Sequence, residues 1–294
     1  MKILVGSGFA EKIENIDIVS KRENLGNNIN CLKKIRSFSF FKNLKKNNIK
    51  FPQTTLSVRN KGDWLVKNFS SYGGVKVNYV KQKDKKLNND EYFQKFIPGK
   101  LVSLQFYNND HKISIISICD QVIYDQNKPF VIKGLITKRV SKNFLKKVSD
   151  LTIKLSKIFD LNGINNIDMI LTQKNIFLLE VNARPGLSTN IISKKIKNPF
   201  HKKTKVVNQT DSLFHSTTIL YATKNIFIDK KKIKFIKKLS LSKNFSELPV
   251  IDEKIMKNQP FCLIHLKSKE REKLLKLIQN KSNWVLSQLD DYKN

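Results

Sequence analysis

Two apolar runs, residues 164–171 and 176–181, flank the polar stretch 172–175. Strand-length runs divided by turn residues predict a β-hairpin. With Gln173, Lys174 and Asn175 as the loop, Asn175 tolerating a left-handed conformation, Thr172 faces Ile176 and Asp168 faces Glu180. Side chains alternate across a strand. One face then carries Ile167, Met169, Leu171, Phe177, Leu179 and Val181, all apolar. The other carries Asp168, Glu180 and Asn182, with Ile170 and Leu178 nearer the turn.

Elsewhere the pattern predicts a chain of mixed α/β and α+β character. Residues 3–5 read as a first strand ahead of Gly6-Ser7-Gly8, a turn that lets backbone approach something closely. A helix over about 30–47 places Leu32, Ile35, Phe41 and Leu44 near one face, and Pro52 follows it. Strands are expected at 64–67 and 75–80, at 92–97 before Pro98-Gly99, and at 101–107 and 113–118. The clearest helix starts at Ser141, a good N-cap. Phe144, Val148, Leu151, Leu155 and Ile158 follow at spacings of four and three, and Gly163 suits its stop. A second helix is expected from near Asp211, carrying Leu213, Phe214, Thr217, Leu220 and Tyr221. Short strands and polar turns follow Ala222, and 270–288 reads as helical.

Composition changes this picture little. The 294 residues allow two or three subdomains. Lys and Arg number 56 against 24 Asp and Glu, a net charge of +32. Such an excess fits a nucleic acid, an anionic membrane or acidic substrates. The lysines are spread along the chain amid abundant Asn and Ile, as an AT-rich genome would produce; only 230–238, KKKIKFIKK, is dense. No RNA-binding aromatic motif, zinc-finger spacing or helix-turn-helix signal accompanies the charge, so a nucleic-acid partner is disfavoured. Cys31, Cys119 and Cys262 form neither a disulfide framework nor a metal pair, which fits a reducing cytoplasm. The N-terminal apolar run meets Gly6 and Glu11 too soon for a secretory signal, and no run approaches a membrane span. The four histidines share no metal-ligand spacing.

The hairpin carries the chemistry. Directly opposed side chains have Cβ atoms about 5 Å apart. Two carboxylates that close repel, and Mg²⁺, which favours one or two carboxylates plus phosphate oxygens, relieves the repulsion. An ordinary amphipathic hairpin explains the same letters, but in a chain this poor in acids two facing ones favour the cation. Arg184 adds a guanidinium beside them. Upstream, residues 68–74 (NFSSYGG) can bring backbone N–H groups to phosphate oxygens. Lys67, just before them, can neutralise a phosphate; a flexible hairpin loop is the alternative. Residues 92–99 (YFQKFIPG) can offer backbone donors and an apolar wall to an adenine ring, or form a plain edge strand.

The order of these pieces, from glycine hairpin through FQKFIPG and a helix to Asp…Glu-x-Asn-x-Arg, resembles the ATP-grasp superfamily over about residues 30–222. EVNARPG with Asp168 upstream is the specific part. The resemblance implies an ATP-grasp fold with a short N-terminal α/β region (1–57), an ATP-grasp domain (58–222) and a small C-terminal β-rich domain (223–294). Within the middle domain it implies a glycine lid at 64–80, an adenine strand at 91–99 and a Mg hairpin at 164–186. ATP and Mg²⁺ (or Mn²⁺) are the implied cofactors. Asp168, Glu180 and Asn182 look like metal ligands, and Arg184 like the residue holding the transferred phosphoryl group or oxyanion. Lys67 looks like the phosphate lysine, Gly73 and Gly74 like the lid tip, and Gln94, Lys95 and Phe96 like the adenine hinge. The chain departs from the family in lacking an acid for the ribose at 99–103 and in its short N-terminal region.

GSGF near the start, LGN at 25–27, WLVK, YFQ, LLEVNARPG and PFC at 260–262 are similar to a narrower group. These are predicted ATP-dependent carboligases related to biotin carboxylase, of the type associated with methanopterin and methylofuran one-carbon metabolism. The implied activity is an ADP-forming carboxylate–amine ligase working through an acylphosphate on small, in part anionic, substrates. A carboxylase or kinase of another reaction type, and a non-catalytic basic ATP- or nucleic-acid-binding module, remain as alternatives, and the oligomeric state stays open.

Overall fold

Where one face of a strand is buried, alternation survives in the sequence; where both are buried, it is lost. That difference separates the elements that match expectation from those that do not. The computed structural model of the chain describes residues 2–3, 23–24, 26–57, 63–71, 73–80, 86–109, 112–125, 128–188, 196–197, 205–206 and 212–291. The Gly6-Ser7-Gly8 turn lies outside them. The strands are β1 (Lys2–Ile3), β2 (Glu23–Asn24), β3 (Thr54–Thr55), β4 (Trp64–Asn68), β5 (Asn78–Tyr79) and β6 (Glu91–Lys95). Then come β7 (Lys100–Asn109), β8 (Lys112–Asp125), β9 (Lys128–Thr137), β10 (Gly163–Leu171), β11 (Ile176–Asn182), β12 (Ile196–Lys197) and β13 (Lys205–Val206). β14 (Phe214–Tyr221), β15 (Ile226–Phe227), β16 (Phe245–Ser246), β17 (Lys254–Ile255) and β18 (Pro260–Ser268) complete the set. The helices are α1 (Ile29–Ile35), α2 (Ser39–Lys46), α3 (Lys142–Phe159), α4 (Lys230–Ser240) and α5 (Arg271–Asp291). The chain divides into two compact units, Met1–Ile132 with Lys138–Asn208, and Lys133–Thr137 with Gln209–Asn294.

In the first unit, β11, β10, β7, β8 and the start of β9 follow one another in sheet order, the first four pairing antiparallel. Val102, Leu104 and Phe106 of β7 and Ile167 and Met169 of β10 point to one side, against Val148, Leu155 and Phe159 of α3. Each such fully buried side chain contributes roughly 1.5–3 kcal/mol. Ser141 caps α3 as expected, its Oγ accepting from Phe144 N at 3.2 Å. The stop is earlier than Gly163: Asp160 takes the left-handed conformation (φ 52°), and Gly163 (φ 66°) opens β10. The single helix expected over 30–47 is two. Ser37 and Ser39 Oγ both donate to Lys34 O, at 3.2 and 3.3 Å, local bonds that compete with the helical ladder. The break makes Arg36 the C-cap of α1. A smaller sheet, ordered β3-β6-β4-β5, holds the glycine hairpin.

In the second unit, β14 pairs with the end of β9 and with β18, which also pairs with β16. The helix expected from Asp211 is therefore corrected: 214–221 is a strand. With neighbours on both edges and most residues buried, it needs no alternation, and its apolar spacing mimics a helical period. The basic run 230–238 lies in α4, capped by Asp229, whose Oδ1 accepts from Lys231 N and Lys232 N at 3.0 and 2.7 Å. Phe235, Ile236 and Leu239 face the core of this unit, with Ile264 of β18 and Val285 and Leu289 of α5. The expected short strands and terminal helix are present as β15–β18 and α5. Among the described residues no helix is long and apolar enough to cross a membrane.

Candidate active site

Asp168 and Glu180 face each other on β10 and β11, as alternation predicts. Toward the turn the register shifts by one: Met169 faces Leu178 and Leu171 faces Ile176, so Leu179 is skipped as a β-bulge. An extra residue in one strand exchanges the faces beyond it. Leu178, expected beside the acids, is fully buried in the core. Leu179, expected in the core, instead lines a cleft with Glu180 and Asn182. The loop is correspondingly 172–175, with Thr172 N donating to Asn175 O at 3.0 Å.

The acidic face continues across the sheet. Pairing aligns Glu180, Asp168, Ser103 and Cys119 in one row and Asn182, Asn166, Gln105 and Ser117 in the next. Asp168 Oδ1 accepts from Ser103 Oγ, from Gln121 Nε2 at 2.9 Å and from Asn166 Nδ2 at 3.2 Å. Asn182 Nδ2 bridges the acids, donating to Glu180 Oε1 at 2.8 Å and Asp168 Oδ2 at 3.2 Å. Its Oδ1 accepts from Arg184 Nη2 at 3.4 Å. Arg184 is buried and also donates through Nη1 to Pro185 O at 3.1 Å. Burial first, and then the charge of Glu180, push the Asp168 carboxyl up to about 7. Burial acts on Glu180 too, but Lys67, hydrogen bonds from Asp168 and Asn182, and Arg36 outweigh it and hold that carboxyl low. The two carboxyls titrate as a unit.

Lys67 is buried on β4, and its Nζ donates to Gln94 Oε1 at 3.3 Å. Burial opposes its charge, yet Tyr92, Glu180 and Asp168 together keep its pKa above the ordinary lysine value. The break between α1 and α2 brings in a second cation. Arg36 Nη1 donates to Phe69 O at 2.8 Å, and Arg36 lines the cleft with Phe69, Ser71, Tyr92, Glu180 and Asn182. The tip of the glycine hairpin, expected to be a lid, is also fixed. Gly73 O accepts from Ile132 N at 3.1 Å, and both Gly73 (φ 63°) and Gly74 (φ 75°) are left-handed.

The residues expected at an adenine hinge divide. Gln94 is buried, its side chain held by Lys67 and by Thr54 Oγ1 at 3.2 Å. Lys95 is exposed, and its N–H, like that of Phe96, is already engaged, with Gln53 O and Asp63 O at 2.8 Å each. Phe96 instead joins Tyr79 and Phe130 in an aromatic cluster, with centroids 5.7 and 6.4 Å from it. The fold thus gathers Asp168, Glu180, Asn182, Arg184 and Lys67 but leaves Lys95 and Phe96 apart from the acids. Arg36, Tyr92, Ser103, Gln121 and Asn166 were missed. Asn166 was readable, two residues before Asp168 on the same face; the others reach the site only through pairing of distant segments. Among the described residues no group of three or more His, Cys, Asp or Glu could hold a metal ion. The groups at this hairpin that could meet a cation are the Asp168 and Glu180 carboxylates and the Asn182 amide, whose Oδ1 now accepts from Arg184.

Comparison with known proteins bears on the family and the fold. The ATP-grasp domain family (ATP-grasp_3) matches residues 36–188. D-alanine–D-alanine ligase of Pelagibacter ubique (strain HTCC1062) is 29% identical over 118 residues. That stretch covers 38% of this chain and 39% of the ligase, so the match spans well under half the relative's length. Among solved structures, N5-carboxyaminoimidazole ribonucleotide synthetase of Thermotoga maritima superposes with a TM-score of 0.66 at 15% identity, covering 92% of this chain and 78% of that one. Biotin carboxylase of Campylobacter jejuni gives 0.69 at 10% identity, covering 98% and 78%. L-amino acid ligase of Bacillus licheniformis gives 0.65 at 12%, covering 98% and 85%. At these identities the structures speak for the fold; the family match, extending over just over half of the 294 residues and including Lys67, the glycine hairpin and the acidic hairpin, shows that the chain belongs to the ATP-grasp family.

Proposed function

We propose that the protein is an ATP-dependent ligase that joins a carboxylate to an amine with formation of ADP and phosphate. The observation that carries the proposal is the facing Asp168–Glu180 pair, bridged by Asn182, with Lys67, Arg36 and Arg184 around it. Two buried acids facing each other, ringed by cations, fit a divalent cation and a polyphosphate better than either alone. Asp168, Glu180 and a turned Asn182 would hold Mg²⁺ (or Mn²⁺), which when bound polarises phosphate oxygens.

The remaining chemistry falls to positioning and charge. Lys67 and Arg36 neutralise phosphate oxygens, and the Gly73–Gly74 tip covers them. The aromatic cluster of Tyr79, Phe96 and Phe130 supplies an apolar wall for a base. A substrate carboxylate oxygen attacks the γ-phosphorus and ADP leaves; the amine then displaces phosphate from the acylphosphate and loses a proton. Arg184 donates to the oxyanion of that second step. No side-chain nucleophile is required. For the acid and amine, the sequence resemblance favours one-carbon cofactor biosynthesis, so pterin- and furan-type acids lead the substrate panel.

The test is phosphate release from ATP across a matrix of acids and amines. Release that requires one of each supports the ligase. Release with bicarbonate and no amine would replace it by an ATP-dependent carboxylase. Glu180→Gln should lower turnover by about two orders of magnitude or more while circular dichroism is unchanged. Full activity in that variant removes the acidic hairpin from the mechanism.

A further inference from the structure

Among the described residues seven buried side-chain polar atoms have no hydrogen-bond partner. Four are scattered over β4, β7, α3 and α5. The other three, Asn166 Oδ1, Gln105 Nε2 and Ser117 Oγ, lie in one row on neighbouring strands, Asn166 facing Gln105 and Gln105 facing Ser117. Buried polar groups are nearly always paired, so three in register call for a common partner. A β-bulge at Ile116, skipped between Ser117 and Ile115, adjoins the row; bulges re-aim side chains beside functional sites.

The anchored ends of these side chains fix what remains. Asn166 Nδ2 is committed to Asp168 Oδ1 at 3.2 Å, which leaves an acceptor. Gln105 Oε1 is committed to Ser188 Oγ at 2.7 Å, which leaves a donor. Ser117 adds a hydroxyl. The acceptor and the donor face each other across two strands without pairing, as they would around a third group. A Cβ at Gly186 would stand 3.2 Å from Asn166 Oδ1, so a side chain there would press on the acceptor.

We infer that Asn166, Gln105 and Ser117 form a subsite for a neutral amide on the carboxylate substrate, resting on the ligase reading above. An amide N–H satisfies Asn166 while its carbonyl satisfies Gln105 and Ser117. The three unpaired atoms are an amide oxygen, an amide nitrogen and a hydroxyl, so an ionised group would find no counter-charge among them. The row is two residues along the strands from Asp168 and Glu180, roughly 6.6 Å at about 3.3 Å per residue.

Ligand-observed NMR with two matched pairs tests this: glutamine against glutamate, and succinamate against succinate. The amide of each pair should bind at least about tenfold tighter, because a site built on donors and acceptors rejects a partner that cannot pair them. Gln105→Met should erase that ratio. Thermal unfolding of Ser117→Ala gives a second readout: an unpaired hydroxyl kept for a ligand is lost at no cost, so Tm should hold or rise. An unchanged ratio in Gln105→Met, equal or stronger binding of the acids, no binding by any of the four, or a lowered Tm in Ser117→Ala overturns the subsite. Mg-ATP binding by wild type and Glu180→Gln is measured in parallel. Its failure in wild type would strike the ligase reading, whereas intact wild-type ATP binding with no amide preference strikes the subsite alone.

Discussion

Replacing Gly74 with alanine isolates what the glycine lid contributes. A Cβ there would stand 1.7 Å from the Phe130 carbonyl oxygen, a backbone atom that no rotamer change can move. The left-handed conformation at φ 75° adds about 1 kcal/mol or more for an L-residue. Relief requires the tip to leave β9, which breaks the 3.1 Å bond from Ile132 N to Gly73 O, about 1 kcal/mol more. The docked lid should thus be disfavoured by about 2–3 kcal/mol, or roughly 30- to 150-fold. Gly73→Ala is the control. Its φ is also left-handed at 63°, but its Cβ would meet only Ile132 Cγ2 at an ordinary 3.6 Å, so about 1 kcal/mol and roughly fivefold are expected. Hydrogen exchange at Ile132 N–H reads the docking directly, and titration with an ATP analogue reads its consequence. Exchange should quicken and affinity fall in the order wild type, Gly73→Ala, Gly74→Ala, with little change in Tm. Equal exchange in the two variants, or wild-type protection in Gly74→Ala, would refute the reasoning.

Asn27 is buried and ties three segments together, donating to Asn165 Oδ1 at 2.7 Å and Ala183 O at 2.9 Å and accepting from Asn162 N at 2.8 Å. Asn27→Ala should cost about 2–4 kcal/mol in urea unfolding by leaving those groups unpaired, and it should lower turnover by loosening the Asn182–Arg184 turn; a neutral variant would show that the network is dispensable. Burial pushes the Cys31 and Cys262 thiols up to about 12, and Cys119 is fully buried. A thiol reagent at pH 8 should therefore label none of the three in the native protein and all three in guanidinium. Burial holds His265, beside Thr217 and Ser246, down to about 4, below the ordinary 6.5. The unfolded chain then takes up a proton below pH 6.5 that the folded one refuses until about 4, so stability present above 6.5 is lost as pH falls through that window. His265→Gln should flatten this slope in urea unfolding, and an unchanged slope would assign it to other groups.

Local chemistry was legible in the sequence. Alternation placed Asp168 opposite Glu180, and Ser141 marked the start of α3, because both depend on neighbours a few residues away. The hairpin's far end was not legible. A three-residue loop and a four-residue loop fit the same letters, and only packing Leu178 into the core against α3 selects the bulge at Leu179. Arg36 read as part of a helix because its role requires two serines to break that helix and Phe69 to receive the guanidinium. Residues 214–221 read as helical because a strand buried on both sides carries no period of two.

The sequence by itself determined which residues bear the chemistry: a carboxylate pair, an amide and an arginine in one hairpin, a lysine before a glycine turn, and their order along the chain. The tertiary structure decided their surroundings. It set Lys67, Tyr92 and Arg36 against the acids, aligned Ser103, Gln105, Ser117 and Gln121 beside them, and turned Lys95 outward. The reason is physical: propensity and periodicity act over a few residues, whereas register between distant strands is settled by which pairing buries the apolar face, an energy summed over the whole sheet.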